Sequence, residues 1–262
     1  MFLFLLFIYI TYVERNIIIN KNVSISLNDV NMNSIRVVHF SDTHLGEFFS
    51  IDQLKTVVEK INKQSPDLVI FTGDLFDIMI EYENIDAAIS ELNKINASFG
   101  KIAIMGNRDF QKGEEYYIEI MKNAGFKVLV NDVIQLSYKD QIISIYGINK
   151  WNTSPSELTE LMSGINKDHI NLLLMHEPDL MNNFINYPID LALAGHSHGG
   201  QVYIPLVGPL IKTNLCEDFI KGKYDLKNER NTIFYVSSGI GNTKVPFRFC
   251  NIPEFITFEL KF

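Results

Sequence analysis

The sequence is poor in cysteine, in basic residues and in long apolar runs, and each shortage excludes a class of protein. Its two cysteines, Cys216 and Cys250, stand far apart in 262 residues. That excludes a disulfide scaffold and any cysteine-based zinc knuckle. Lysine and arginine number 23 against 31 acidic residues, a formal net charge of −8. A protein that grips nucleic acid by charge is normally basic, so nucleic acid is disfavoured as a partner. No linker rich in Pro, Gly or Ser, no low-complexity run and no internal repeat is present. What remains is 47% hydrophobic and 21% charged residues, an ordinary globular composition in a chain long enough to bury a sizeable core.

Residues 1–13 are apolar except for Thr11, and Glu14 and Arg15 end the run. A helix of that length reaches about 20 Å against a hydrocarbon core of about 30 Å. The run is therefore too short to cross a bilayer as written. It also lacks the basic start and small-residue cleavage site of a secretory signal. A membrane anchor, a signal remnant and a buried first element are the three readings. Phe2, Phe4, Leu5, Leu6, Phe7 and Ile8 leave no polar face, which a core helix would show. The anchor reading is favoured: a membrane-associated protein at the plasma membrane, with the side of the membrane not indicated by the few loop charges.

Residues 14–34 read as an extended connecting region with strand material at Ile17–Ile19 and Val23–Leu27. From Ile35 onward, strands and helices alternate. Strand runs at Ile35–Phe40, Asp67–Thr72 and Ile102–Met105 are separated by helical periods at Ile51–Lys63, Asn84–Asn96 and Glu114–Asn123. Such alternation indicates parallel β-structure with helical crossovers. Beyond Val128, Val133–Leu136 and Ile142–Ile148 read as paired strands around Lys139 and Asp140. A helix near Ser156–Met162 and buried strands at Asn171–Met175 and Leu191–Ala194 follow. Thr232–Val236 and Phe255–Leu260 read as antiparallel strands. One domain with a short N-terminal appendage fits this better than two.

Histidine is scarce too, six in all, and its placement carries the argument. Five strand ends carry residues of metal-ligand type: Asp42 and His44, then Asp74, then Asn107, then His176, then His196 and His198. In open α/β sheets, ligands gather beyond the carboxyl ends of strands, so five tips spread over the chain can converge. Carboxylate and amide oxygens mixed with imidazole nitrogens suit a pair of divalent ions such as Mn, Fe or Zn. Two such ions about 3.5–4 Å apart clamp a phosphate and activate a water between them. Gly73, Gly106 and Gly195 immediately precede ligands and would permit a sharp turn. His39, inside a strand, reads as a packed or hydrogen-bonded histidine, and His169, in a polar segment, as a solvated one.

In their order and spacing these residues resemble the calcineurin-like metallophosphoesterase superfamily, whose motifs run Asp-x-His, Gly-Asp, Gly-Asn-His-Asp/Glu, a lone His and Gly-His-x-His. The likeness spans Ile35 to Phe262, so residues 35–262 would form the catalytic domain. It implies an α/β fold, a four-layer αββα sandwich of two mixed β-sheets flanked by helices. It also implies two divalent metal ions, one held by Asp42, His44, Asp74 and His198, the other by Asp74, Asn107, His176 and His196. The implied activity is hydrolysis of a phosphate ester or phosphoanhydride by a metal-bridging hydroxide, with Asn107 and His176 completing the ligand set of the second metal. Gly195–Gln201, Pro205–Leu210, Ser238–Gly241, Pro246–Arg248 and Pro253–Glu254 resemble the membrane-associated bacterial branch, in which an N-terminal hydrophobic helix is usual. The expected substrate is a phosphorylated small molecule or lipid, and no protein partner is implied. A metal-dependent nuclease or broad phosphodiesterase is the alternative, and an inactive scaffold a more distant one.

One position departs from the pattern. Arg108 stands where the superfamily usually has a histidine, read as protonating the leaving oxygen or steadying the transition state. An arginine cannot supply that proton, since its pKa exceeds about 12. It can still stabilise charge on phosphoryl oxygens. Anhydrides, whose leaving group departs as a stable anion, are therefore expected over alkyl esters. The string Gly106–Phe110 also resembles that of bacterial UDP-2,3-diacylglucosamine diphosphatases. A plain ion pair of Arg108 with Asp109 is the bland alternative. Asp109 is expected to orient a ligand or Arg108; Asp77 and Glu81 could do likewise, but such carboxylates are more often solvated loop charges and they are set aside. Val202–Leu215 is apolar for a loop, with core packing as the default reading and a lip for a lipid tail as the sharper one.

Overall fold

The structure, a computed structural model, describes residues 1–27, 33–149, 154–210 and 212–262. Part of the extended connecting region and Ile211 of the apolar loop thus lie outside the described residues. The chain opens with helix α1 (Phe2–Ile8), continued by a wide turn over Tyr9–Val13 and a short tight one over Glu14–Asn16. Strands β1 (Ile19–Ser26), β2 (Ser34–Phe40), β3 (Leu68–Phe71), β4 (Lys101–Ala103) and β5 (Phe126–Val128) follow. Helices α2 (Ile51–Asn62), α3 (Ile85–Asn93) and α4 (Glu114–Asn123) fall between β2 and β5 as crossovers. The second half holds β6 (Asp132–Tyr138), β7 (Gln141–Gly147), α5 (Pro155–Ser163), β8 (Ile170–Leu174) and β9 (Leu191–Ala194). It ends with a small hairpin of β10 (Tyr203–Ile204) and β11 (Gly208–Pro209), then β12 (Gly222–Asp225), β13 (Ile233–Val236) and β14 (Glu254–Lys261).

Two six-stranded sheets result, ordered β1-β14-β2-β3-β4-β5 and β12-β13-β9-β8-β7-β6. Both are mixed. Strands β2 to β5 run parallel, while β14 is antiparallel to β2 and parallel to β1. In the second sheet β7, β8, β9 and β13 run parallel between antiparallel edges β6 and β12. The expected antiparallel pairing of the last two strands is thus half the story: β13 and β14 each pair one neighbour in each sense. Strands β5 and β12 were not legible as strands; they are short and their side chains are partly exposed.

The alternation of side chains along each strand builds the layers. Ile35 and Val37 of β2 join Ile70, Ile102, Ile145, Leu172 and Leu193 in the core between the sheets. Val38 and Phe40 turn the other way, onto the helices. Helix α2 forms because Ser50 and Gln53 cap each other's backbone and because Leu54, Val57, Val58 and Ile61 share one buried face. Burying those four contributes on the order of 6–12 kcal/mol against exposure. On the far side, Tyr146, Met175, Phe234 and Val236 of the second sheet pack under Met162 of α5 and the turn at Leu180 and Met181. The result is the expected αββα order of layers.

The N-terminal run divides in two. Leu3, Phe4, Leu5 and Phe7 are exposed, whereas Thr11 and Glu14 are buried against the body. No helix among the described residues is long and apolar enough to cross a membrane. The loop 202–215 does not pack into the core as its default reading expects. Leu206, Val207 and Leu210 stand out from the β10–β11 hairpin in solvent. His169 is half-buried rather than solvated, within 2.9 Å of Ser144 Oγ and 3.2 Å of Asn166 Nδ2.

Candidate metal centre

Register places the first three strand tips side by side, with His39 opposite Ile70, Phe40 opposite Phe71 and Phe71 opposite Ala103. The chain leaves β2, β3, β8 and β9 through loops that carry the expected residues, and five of these adopt left-handed backbone. Asp42, His44, Asp74, His196 and His198 have φ between 45° and 67°. Non-glycine residues avoid that region unless their surroundings compel it, and such strain gathers at functional sites. The glycines before them act in two ways. Gly73 has φ +95° and supplies the turn. Gly106 and Gly195 do not have positive φ and supply space: a Cβ on Gly106 would collide with the Asp74 carboxylate and the His176 ring, and one on Gly195 with Ser41 and Asp42.

Two groups of ligating atoms result, Asp42 with His44 and His198, and Asp74 with His176 and His196, the atoms of each lying within 4.8 Å of one another. His198 Nε2 is 2.9 Å from His44 Nε2 and 3.6 Å from Asp42 Oδ1. In the second group His176 Nε2 is 3.4 Å from Asp74 Oδ2, and the same oxygen is 3.5 Å from His44 Nε2 of the first. Asp74 thus lies between the groups. The opposite ring nitrogens are already engaged, which leaves the inward ones free. His176 Nδ1 donates to the Thr72 carbonyl at 2.6 Å, and His196 Nε2 to the Asn214 carbonyl at 3.0 Å. His176 Nε2 and Asn107 Oδ1 are buried with no hydrogen-bond partner. Buried polar atoms are normally satisfied, and a cation would satisfy both. Ligand atoms about 2.1 Å from a shared cation lie up to about 4.2 Å apart, so the donor set fits.

The electrostatics favour the same conclusion at Asp74, His196 and His198, whereas Asp42 and His176 would give up protons to a metal. Burial pushes the Asp42 carboxyl up, against the pull of the His176 and His44 rings. Burial also pushes Asp74 up, but His176 beside it outweighs that and holds it below the usual carboxylate range. Burial lowers His198 well below 6.5, helped by the charges of His44 and Arg248, and lowers His196 to about 4, helped by His176. Ionised carboxylate and neutral imidazole are the forms a metal takes.

Asn107 and Arg108 line the same pocket, about 330 Å³, with His44, Asp74, His196 and His198. Arg108 is half-buried, and its backbone N–H donates to Asp74 Oδ1 at 2.8 Å. Asp109 does not need Arg108 as a partner. Its carboxylate accepts N–H bonds from Asp74, Leu75 and Gly106 at 2.8, 3.0 and 2.8 Å, so it fixes the Asp74 loop. His39 is fully buried, 2.8 Å from Thr72 Oγ1, and burial lowers its ring to about 3.

Three residues here were not assigned a part in the site from the sequence. Asp77, set aside there as a solvated charge, faces His44 Nδ1 at 3.5 Å and accepts from Thr243 Oγ1 at 3.0 Å. Its place three residues past Asp74 was the signal available. Arg248 and Asn251 reach His198 from about fifty residues away; Arg248 falls in the stretch Pro246–Arg248 noted above, but nothing in that string ties it to His198, and no local pattern marks Asn251.

Residues 35–200 match the profile of the calcineurin-like phosphoesterases. The chain belongs to that family. As a calcineurin-like phosphoesterase it is a metal-dependent phosphoric ester hydrolase, and it carries two candidate ligand clusters for the dinuclear divalent centre that the family uses. It is 35% identical to the uncharacterized metallophosphoesterase YkuE of Bacillus subtilis over 97% of this chain and 89% of that one. It is 30% identical to the uncharacterized metallophosphoesterase Cj0846 of Campylobacter jejuni over 87% of this chain and 59% of that one. Among solved structures it resembles the NAD nucleotidase of Haemophilus influenzae, with a TM-score of 0.55 and 15% identity. That likeness covers 79% of this phosphoesterase and 51% of the nucleotidase, so the chain spans about half the nucleotidase's length. It is a likeness of fold.

Proposed function

We propose that the chain hydrolyses phosphoanhydrides and activated phosphate esters at a centre of two divalent cations that share Asp74. The observation that carries this reading is the position of Asp74 Oδ2, 3.5 Å from His44 Nε2 and 3.4 Å from His176 Nε2. Asp42, His44 and His198 would complete one binding position, and Asn107, His176 and His196 the other. Mn, Fe or Zn suits these donors. When bound, such a pair supplies Lewis acidity toward phosphoryl oxygens and brings the pKa of water near about 7.

The chain's own groups do the rest. Asp109 holds the Asp74 loop by three N–H bonds, so the shared carboxylate is oriented before substrate arrives. Arg108 lines the same pocket as Asp74. It can pair with phosphoryl oxygens and offset charge as the bond breaks, but it donates no proton to the leaving oxygen. A leaving phosphate or nucleotide needs none, whereas an alkoxide does. The likeness of residues 106–110 to UDP-2,3-diacylglucosamine diphosphatases agrees with that preference. The exposed Leu3, Phe4 and Phe7 of α1 and Leu206 and Val207 of the hairpin support membrane association and an amphiphilic phosphorylated substrate.

A substrate panel with Mn tests the reading. Nucleotide diphosphate-sugars and diphosphates should turn over faster than alkyl phosphomonoesters. Arg108→Ala should lower turnover about 100-fold, the cost of losing one donor to a developing anion. Faster turnover of alkyl monoesters by the unaltered protein would overturn the preference.

A further inference from the structure

The end of the N-terminal run is bonded into the residues that hold His198. The Ile10 carbonyl accepts the Arg248 N–H at 3.1 Å. Glu14 Oε1 accepts the Asn251 N–H at 2.6 Å, and Arg15 Nη1 donates to the Pro246 carbonyl at 3.2 Å. Glu14, Arg248 and Asn251 are all buried, at 1%, 0% and 3% exposure. A carboxylate so deep is costly to keep unless its hydrogen bond is worth keeping.

From there the contacts run to the candidate ligand. Asn251 Nδ2 donates to the carbonyl of His198. His198, Gly199 and Gly200 form three consecutive left-handed residues, with φ 49°, 55° and 76°, and only the glycines adopt that region freely. A Cβ on Gly199 would collide with the Asn251 side chain, so Asn251 lies directly on this turn. Arg248 frames the other side. Its guanidinium donates to the carbonyls of Ser238, Gly241 and Asn251 at 2.8, 2.6 and 3.2 Å, and Nη2 lies 3.5 Å from His198 Nδ1. Nη2 already serves the Gly239 and Gly241 carbonyls, so its contact with the ring is packing.

We propose that Glu14, acting through Asn251, is a positioning residue for His198, so that docking of residues 10–15 sets the ligand geometry of the Asp42–His44–His198 cluster. The N-terminal run is on this view part of the metal centre's support as well as an apolar surface. The proposal rests on the reading of His198 as a metal ligand.

The test is calorimetric titration of metal-free, full-length protein with Mn, which resolves two binding events, alongside thermal unfolding. His198→Ala identifies the event that belongs to its cluster by abolishing it. Outer partners of a ligand are typically worth 10–100-fold in metal affinity. Asn251→Ala should therefore weaken that event about tenfold or more, and Glu14→Ala, one step further out, about 3–10-fold. Neither should move the other event. Glu14→Gln keeps an oxygen that can accept the Asn251 N–H, and should restore affinity to within about twofold of the unaltered protein. Should Glu14→Ala fail to fold, Glu14→Asp, which withdraws the acceptor by one methylene, carries the same expectation. Unchanged affinity in both Glu14→Ala and Asn251→Ala would overturn the proposal, as would equal weakening of both events. If His198→Ala leaves both events intact, the ligand reading itself fails, independently of any Glu14 variant.

Discussion

The cluster of Asp42, His44 and His198 is buried at all three residues, whereas His196 leaves the cluster of Asp74, His176 and His196 partly open to the pocket. Their supports differ as well. The first leans on side chains: Asp77 faces His44 Nδ1 and Asn251 holds the His198 carbonyl. The two rings of the second lean on the main chain, through the carbonyls of Thr72 and Asn214, and only its Asp74 loop is held by a side chain, that of Asp109. A side-chain partner can be removed by one substitution, while a carbonyl survives any substitution that leaves the backbone in place. The two clusters should therefore respond differently to mutation although their donors are nearly alike. The first should be sensitive to residues several positions away in space, and the second chiefly to its own ligands and to Asp109.

The largest effect should come from the residue common to both. Asp74→Ala removes the oxygen that lies 3.5 Å from His44 Nε2 and 3.4 Å from His176 Nε2. Turnover should fall by more than about 100-fold, beyond the range of an outer partner, and elemental analysis should find both metals depleted. Loss of one metal alone would break the symmetry of the comparison and make Asp74 a ligand of a single position.

Next comes Asp77→Ala, which takes away the partner of His44 Nδ1. The ring should lose its orientation, and metal affinity in the first cluster should fall about 10–100-fold. Calorimetry that separates two binding events should find the second unchanged. If both weaken together, Asp77 acts on the pocket as a whole, through Thr243 or the charge of Arg108, and not on His44.

What could be read in the sequence follows the same division. Parallel strands send their ligands out at the carboxyl end, so Asp42, His44, Asp74, Asn107, His176, His196 and His198 are visible as short strings after apolar runs; His44, Asp74, Asn107, His196 and His198 line one pocket, and Asp42 and His176 join them in the two clusters. The αββα layering is similarly visible, because alternation at Ile35–Phe40 and helical period at Leu54–Ile61 each need only a local window. The supports are less so. Every residue has a carbonyl, so nothing marks Thr72 or Asn214. Arg248 and Asn251 reach His198 across a separation that no spacing rule covers. Apolar character alone does not say whether Leu206 and Val207 are buried. They are not: among the described residues β10 and β11 form a two-stranded sheet of their own, and both side chains stand exposed at its turn.

The smallest effect is a difference in pH dependence. Burial pushes the His176 ring down, but the carboxylates of Asp74, Asp42 and Glu177 outweigh that and hold it well above 6.5. His176 is then protonated at neutral pH in the metal-free protein, and a cation that takes Nε2 must displace that proton. Each proton released makes affinity rise with pH, by up to about tenfold per unit while the ring remains protonated. His198, lowered well below 6.5 by burial and by the charges of His44 and Arg248, has no proton to give up. Asp42, raised by burial, would add a proton release of its own to the first cluster. From pH 7 to 8, affinity in the second cluster should climb severalfold and more steeply than that in the first, as read by calorimetry in two buffers of different ionisation enthalpy. Parallel rises, with equal protons released, would mean that the two clusters hold their protons alike, and that the contrast between them lies in access and support alone.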